Sequence, residues 1–386
     1  MVTDFLDPDS PGGASRYVRE SARALAARGH EVAIVAGLER PRPPEVREGV
    51  RYRWFRYDAY RGGPFRLWRA LSRDLQEALR EECGRLRPDL VHFHQSASAR
   101  ASLSRSPCRD LPAAYMAYSP WPREHAAAGG SRTGMFLRKW IEGSVLKRMP
   151  AIMTLSRYTV GEFASAYGLP ADRFGILGGG VDARRFCPRS DRPSLRRAWE
   201  IPERGPCWLT VRRLVPRMGL DLLLEAAVLR LRDGADFRLI VAGDGPLRGA
   251  LEDRAAVLGL SGRVRFAGLV PEEKLPELYT AADVFILPTR ELEGFGLVLL
   301  EAMACGTPAI GTPVGAIPEI LEKVDPGWIA SAATPAALAD LLARMPFPVP
   351  EGVRNRCRET VEREFTWDAV AVKMEAEYRR VLNDVR

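Results

Sequence analysis

The sequence predicts an α/β protein built from two parallel-sheet units. Three observations predict it. Short apolar runs alternate along the chain with longer helical patterns, as in parallel strands joined by crossover helices. The length of 386 residues suits two cores of roughly 180 residues each better than one. Three successive glycines, Gly178, Gly179 and Gly180, break the alternation near its middle and mark an irregular loop between halves. The boundaries follow: a first domain at 1–180, a second at 181–365, and a terminal helix at 366–386.

Composition excludes several classes. With 46% hydrophobic and 27% charged residues, the chain is globular rather than disordered or fibrous. A net charge of +8 suits anionic substrates or an anionic membrane face, and no nucleic-acid motif accompanies it. The six cysteines show neither CxxC pairs nor zinc spacing, so they read as reduced, buried thiols, and no metal is called for. No signal-peptide pattern or apolar run of membrane-spanning length is found, so a cytoplasmic protein is expected.

In the first half, Val2–Phe5 reads as the end of a first strand, with the chain start falling inside it. The loop DPDSPGGAS carries Gly12 and Gly13 into a helix over 14–28, a place where backbone can meet a phosphate or sugar, although a plain turn explains two glycines as well. His30 follows as a cap or turn residue. Strands are expected at 31–36, 50–57, 89–94, 111–118 and 151–155, with a long amphipathic helix over 65–86. His92 and His94 are two apart and share one strand face, but no third metal ligand stands nearby. A loop, Ser119 to His125, follows Tyr118; its Trp121 either walls an acceptor or packs the loop. Residues 132–149 form a basic amphipathic helix, read as a solvated face over a core, with membrane docking as the alternative. Ser156 caps the helix after the strand at 151–155.

In the second half, strands are expected at 207–211, 237–241, 264–267, 284–287 and 307–311. The first is followed by a basic loop, Arg212 to Gly219, and a helix over 220–232. The second ends in the turn Gly243-Asp244-Gly245-Pro246. The stretch from Pro288 to Pro318 is the most informative. Gly294 and Gly296 allow a sharp turn and a close approach, and 297–304 is apolar almost all round, as in a helix buried on every side. Glu301 breaks that pattern, and a buried carboxylate needs a donor, from protein or from a ligand. Glu293 stands at the helix mouth. Between the two acids lie the first free N–H groups of the helix, which favour an anion. The order carboxylate, anion site, carboxylate matches the sugar, diphosphate and ribose of a nucleotide sugar.

The phrase EGFGLVLLEAMACGTPAI resembles the signature of the retaining nucleotide-sugar glycosyltransferases of family 4, and the likeness extends over nearly the whole chain. The resemblance implies the GT-B fold, two Rossmann-like parallel-sheet domains facing a deep interdomain cleft, with the last helix crossing back to the first domain. It implies that Glu293 contacts donor sugar hydroxyls, that Glu301 holds the ribose, and that Gly294 and the N–H groups of Phe295, Gly296 and Leu297 face the phosphates and sugar. Gly12, Gly13, Gly243 and Gly245 are placed around the donor, and backbone near Val270 reads the base. Arg213 matches the arginine of the family's Gly-Arg and Lys-Gly diphosphate clamp, whereas Arg212 stands for the glycine and Met218 for the lysine. Arg217 or Arg212 is then the substitute cation. On the acceptor side the resemblance points to His94, Tyr118 and Trp121, with Tyr118 where relatives often carry a histidine. Gly179 replaces an asparagine at the hinge.

The implied reaction is transfer of a sugar with retention from a UDP-, GDP- or ADP-sugar to a hydroxyl of a glycan, lipid or small metabolite, without a cofactor. Catalysis rests on Arg213, Glu293 and Tyr118, with positive charge held against the departing diphosphate. Two rivals stand beside it. Tyr118 and Met218 motivate a nucleotide-sugar-binding protein without efficient turnover, and the shared architecture admits an epimerase acting on a UDP-sugar.

Overall fold

The computed structural model describes residues 1–6, 12–57, 64–105, 107–127, 129–202 and 205–384, apart from the side chains of 64–72, 104, 105 and 384. The stretch 7–11 leading to Gly12, and the side chains in the first part of the long helix Pro64–Leu86, lie outside this description. The chain divides into two compact units, Met1–Gly179 with Trp367–Arg386, and Gly180–Thr366.

The first unit carries eight strands: β1 (Val2–Thr3), β2 (Val32–Leu38), β3 (Glu45–Arg47), β4 (Val50–Arg56), β5 (Val91–Phe93), β6 (Ala113–Ala117), β7 (Ala151–Thr154) and β8 (Phe174–Ile176). Their order is β3-β4-β2-β1-β5-β6-β7-β8, and every pairing is parallel except the β3–β4 edge. The strands β2, β6 and β7 are apolar runs buried on both faces, as a sheet covered by helices requires. Leu75, Phe93, Tyr115, Leu146, Ile152 and Phe163 form the centre of its core. The last helix, Trp367–Asp384, belongs to this unit and packs on the helix Gly13–Ala27. Trp367 meets Tyr17 edge-on at 5.3 Å between ring centroids, and Arg28 Nε donates to Glu375 Oε1 at 2.6 Å.

The second unit has five parallel strands, β9 (Cys207–Val211), β10 (Arg238–Ala242), β11 (Val264–Gly268), β12 (Val284–Leu287) and β13 (Ala309–Gly311), in the order β11-β10-β9-β12-β13. The chain walks outward from β9 to β11, then returns and walks the other way through β12 and β13. Loops after β9 and β12 therefore leave in opposite directions and open a crevice at the carboxyl ends of the strands. Asp283, just before β12, is buried but fully engaged: Arg192 and Arg196 pair with it at 2.6 and 2.8 Å, and Cys207 N–H donates to it. A buried carboxylate so matched serves the fold.

Several elements depart from the sequence expectation, among them three in the first unit. The edge strand β3 is too short and polar to show a pattern. The helix Ser96–Arg105 consists of small and polar residues with little periodicity. Residues 121–127, expected as loop, form a helix, because Pro122 sits in its first turn, where its missing N–H costs nothing.

Candidate functional site

The crevice in the second unit is walled by three loops in direct backbone contact. After β9 runs 212–219 and after β12 runs 288–296, and Arg290 N–H donates to Arg217 O at 2.9 Å to join them. Gly219 has φ +68, and a Cβ there would collide with the carbonyl oxygen of Pro288. Only glycine permits both that conformation and that approach. Arg217 Nη1 adds a bond to Leu292 O at 3.0 Å. The third loop, after β10, brings Gly243 and Gly245 against the backbone of Arg212 and Leu214, and any side chain at either position would strike it. Packing alone therefore accounts for both glycines, which the resemblance assigned to the donor. Val270 is half-buried in the loop after β11.

The helix Leu297–Ala304 begins at Gly296, whose φ is +94, and has neither a side-chain cap nor an acid in its first turn. The sharp turn is made there and at Leu292, with φ +59, rather than at Gly294. The first N–H groups of a helix have no intrahelical acceptor, so the tip at Leu297 and Val298, half-exposed, offers donors and the positive end of the dipole. Glu301 is buried further along, and Tyr279 Oη donates to its Oε2 at 2.8 Å. Part of the donor set that sequence demanded is thus protein. Glu293 is clamped by its backbone, since Ala316 N–H donates to its carbonyl at 2.9 Å.

Arg212 lies buried at the centre of these loops. Its Nη1 donates to Thr289 Oγ1 at 3.0 Å and its Nη2 to Glu293 Oε2 at 3.2 Å, and Nη2 also touches Met218 Sδ. Its Nε is buried with no partner among the described residues. Burial pulls the guanidinium down to about 10; Glu293 pulls it back up and Arg217 pushes it down, so it stays charged at neutral pH. Arg213 is exposed, and none of the described residues accepts from its guanidinium.

In the first unit, His94 follows β5 and Tyr118 follows β6, and these neighbours share a hydrogen bond of 2.7 Å between Nδ1 and the phenol. His92 shares one of the same length with Tyr378, and the two imidazole rings lie 4.2 Å apart. Burial lowers His92 to about 3 and lowers His94 well below the usual histidine range, with His92 adding to the effect on His94. Both are neutral at physiological pH, and Tyr118, raised by burial, stays protonated. Trp121 opens the helix Trp121–Ala127; its N–H donates to Glu142 Oε2 at 2.8 Å and Arg138 lies over its ring. Glu142 also accepts from Ser96, Tyr115 and Tyr167, and burial raises it to about 7. Gly12 and Gly13 start the first helix with negative or unremarkable φ, and a Cβ on either would meet no described atom closer than 3.7 Å.

The chain is similar to known proteins over nearly its whole length. Residues 11–185 match the family described as Glycosyltransferase Family 4, and residues 191–346 match Glycosyl transferases group 1. A D-inositol 3-phosphate glycosyltransferase of Salinispora tropica is 31% identical over 388 residues, covering 92% of this chain and 78% of its own length. The chain belongs to the family 4 glycosyltransferases. A GDP-mannose-dependent alpha-(1-6)-phosphatidylinositol monomannoside mannosyltransferase of Mycobacterium tuberculosis is 35% identical over 246 residues, 60% of this chain and 63% of that relative's length, so under two thirds of it is spanned. Among solved structures, sucrose-phosphate synthase from Thermosynechococcus elongatus superposes with a TM-score of 0.79 at 22% identity, covering 99% of each chain. HepE of Anabaena with UDP and glucose gives 0.76 at 19%, over 98% of this chain and all of the other. These likenesses carry the GT-B fold.

For a family 4 chain, the structure groups Arg212, Arg217, Glu293, Gly296, Leu297 and Glu301 about one crevice of the second unit, while His94 and Tyr118 pair at the carboxyl ends of β5 and β6 in the first and Trp121 opens the helix after β6. Sequence reasoning missed Thr289 and Tyr279. Tyr279 was open to discovery, because a buried Glu301 demands a donor and the preceding helix, Leu275–Ala281, carries a tyrosine on its buried face. Thr289 carries no such signal; only the fold brings it to Arg212.

Proposed function

We propose that this chain transfers a glycosyl group, with retention of configuration, from a UDP-, GDP- or ADP-sugar to a hydroxyl acceptor. The observation that carries this reading is the uncapped helix tip at Gly296, set between Glu293 and the buried Glu301 beside the basic loop 212–219. The helix tip and Arg213, Arg217 and Arg212 take the diphosphate, Glu301 the ribose and Glu293 the sugar hydroxyls, with Val270 near the base. As the anomeric C–O bond breaks, negative charge grows on the departing diphosphate, and preorganised cations and N–H groups lower that barrier. Gly12 and Gly13 remain donor-side candidates because neither backbone strain nor packing requires them. In the first unit, the neutral His94–Tyr118 pair suits a hydroxyl, which it can orient without taking a full proton, and Trp121 offers an aromatic face.

The relatives' names point to phosphorylated or lipid-linked polyols as acceptors, and one surface favours the lipid. On the helix Arg132–Leu146, Phe136 is 74% and Trp140 57% exposed, one turn apart and beside exposed Leu137, with Arg132, Lys139, Lys147 and Arg148 around them. Aromatics among cations fit the headgroup layer of an anionic membrane. None of the helices, among the described residues, is long and apolar enough to cross a bilayer. Co-sedimentation with phosphatidylglycerol vesicles tests this; a Phe136→Ser, Trp140→Ser variant that sediments as well as the parent rules it out.

The test of the reaction is a thermal-shift screen of nucleotide sugars followed by transfer assays over lipid and polyol acceptors. A melting-temperature rise with one donor class and a glycosylated product are expected. Binding without turnover across the acceptor panel would establish the sugar-nucleotide-binding rival instead, and an isomerised sugar nucleotide the epimerase.

A further inference from the structure

The guanidinium of Arg212 is an unusual occupant for a crevice wall. It is 9% exposed, yet it has fewer acceptors than donors: one hydroxyl, one oxygen of a shared carboxylate, and a thioether. Sulfur is a weak acceptor, and Nε has no partner among the described residues. A buried charged donor left unmatched is costly, so the arrangement is understandable if another acceptor completes it. Glu293, its only anionic partner among the described residues, also accepts from Thr289 Oγ1 at 3.2 Å and sits at the mouth of the uncapped helix. The carboxylate and the guanidinium therefore hold each other.

Met218 explains why the cation stands at 212. Its sulfur rests against the guanidinium, so a lysine at 218 would place an ammonium against that buried cation. Like charges at contact distance in a buried site repel strongly. One cation and one apolar cushion is the arrangement this space tolerates, and Arg217, close enough to push Arg212 down electrostatically, already adds positive charge. Arg212 and Met218 are one unit, each making the other possible.

We propose that Arg212 exchanges its carboxylate partner for the donor: its guanidinium turns from Glu293 Oε2 to an oxygen of the distal phosphate of a nucleoside diphosphate sugar, releasing Glu293 to the sugar hydroxyls. This rests on the glycosyl-transfer reading above. When the bond between the anomeric carbon and the phosphate oxygen breaks, its electron pair stays on that oxygen, and the guanidinium stabilises it by a charge-assisted hydrogen bond without giving up its own proton. The acceptor oxygen forms the new bond to carbon, and its proton goes to the departing phosphate. A thioether at 218 could do none of this.

The decisive quantity is the ratio of monophosphate to diphosphate dissociation constants, measured by calorimetry with whichever of UDP, GDP or ADP the parent binds and with the matching monophosphate. Arg212→Gln keeps a polar, hydrogen-bonding side chain, though a shorter one, and removes its charge; unfolding melts check that the chain stays folded. The ratio should fall by about 10-fold or more, through the diphosphate alone, in keeping with the loss of a charged hydrogen bond. The double variant Arg212→Gly, Met218→Lys moves the cation to the other wall and should restore most of the ratio. A parent-like ratio in Arg212→Gln overturns the proposal, as does a double variant whose ratio stays collapsed, which would make Arg212 a packing residue. A parent that binds none of the three diphosphates overturns the glycosyl-transfer reading itself, which is a distinct result.

Discussion

The two units share an architecture and differ at the same place. Each sheet reverses its strand order once, between β1 and β5 in the first unit and between β9 and β12 in the second, and each has a helix starting just beyond that point. In the first unit the tip of the helix Ser96–Arg105, after β5, is already satisfied, whereas that of Gly13–Ala27, after β1, has no side-chain cap. The carboxylate of Asp4 accepts from the N–H groups of Ala97 and Ser98, and Gln95 Oε1 accepts from Thr3, Asp4 and Phe5. In the second unit the corresponding tip at Gly296 has no cap, and the nearest carboxylate, Glu293, is held aside by Arg212. The lesson is that a helix tip at a strand-order reversal can take an outside anion only where the chain leaves its own carboxylate out of it. The first unit supplies its own and offers neutral groups instead: His94, Tyr118 and the indole of Trp121.

The largest expected effect tests the charged edge. Arg213→Ala removes an exposed cation with no described protein partner, so any loss must come from the ligand. Transfer should slow by about 10²–10³-fold with little change in stability. Steady-state kinetics on the screened donor decide it, and unchanged kinetics would remove Arg213 from the phosphate site.

The neutral edge makes its own prediction, through Glu142. Burial raises its carboxyl to about 7 from an ordinary value near 4.5, so the folded state holds a proton that the unfolded chain has lost. That stability is fully present below the unfolded value and is lost as pH rises through the folded one, from about pH 4.5 to 7. The loss is on the order of 3 kcal/mol over that window. Urea melts from pH 5 to 8 should show the decline, and Glu142→Gln should flatten it. A parent whose stability rises across the window would mean that Glu142 is ionised and well solvated by its four donors.

Within the charged edge, the two acids should separate. Glu301→Ala should weaken nucleotide binding by about 10–100-fold, the scale of a lost charged hydrogen bond, whereas Glu293→Ala should mainly lower turnover or sugar affinity. Nucleotide titrations beside kinetics distinguish them. Should neither variant change binding or rate, the donor assignment fails.

How far such contrasts can be read from sequence depends on what makes each element. Residues 207–211, 284–287, 220–232 and 297–304 were legible to the residue, because apolar runs there are cut by proline, glycine or charge. The helix Ser96–Arg105 was not, because it is held by the capping contacts of Asp4, far away in the chain, rather than by an apolar stripe. The site was legible where a residue contradicts its surroundings, as Glu301 does on an apolar helix. It was illegible where meaning lies in a partner: Arg212 was read as a substitute cation, but its contacts with Thr289, Glu293 and Met218 could not be read from the sequence. Gly243 and Gly245 show the limit from the other side, since glycine signals a close approach, here of the backbone of Arg212 and Leu214, without saying whether a ligand approaches too.

The smallest effect is the sharpest test of the comparison. Asp4→Ala removes the internal anion from the first unit's helix and strands the N–H groups of Ala97 and Ser98. Loss of such a cap costs about 1–2 kcal/mol. Burial raises the Asp4 carboxyl, so part of what its hydrogen bonds contribute is offset by desolvation, and the lower end of that range is expected. Nucleoside diphosphate binding should be unchanged, because the anion site belongs to the other unit. If the emptied tip instead gains affinity for phosphate, measured as protection by inorganic phosphate in the variant but not the parent, the two crevices are equivalent in backbone and differ only in that one carboxylate.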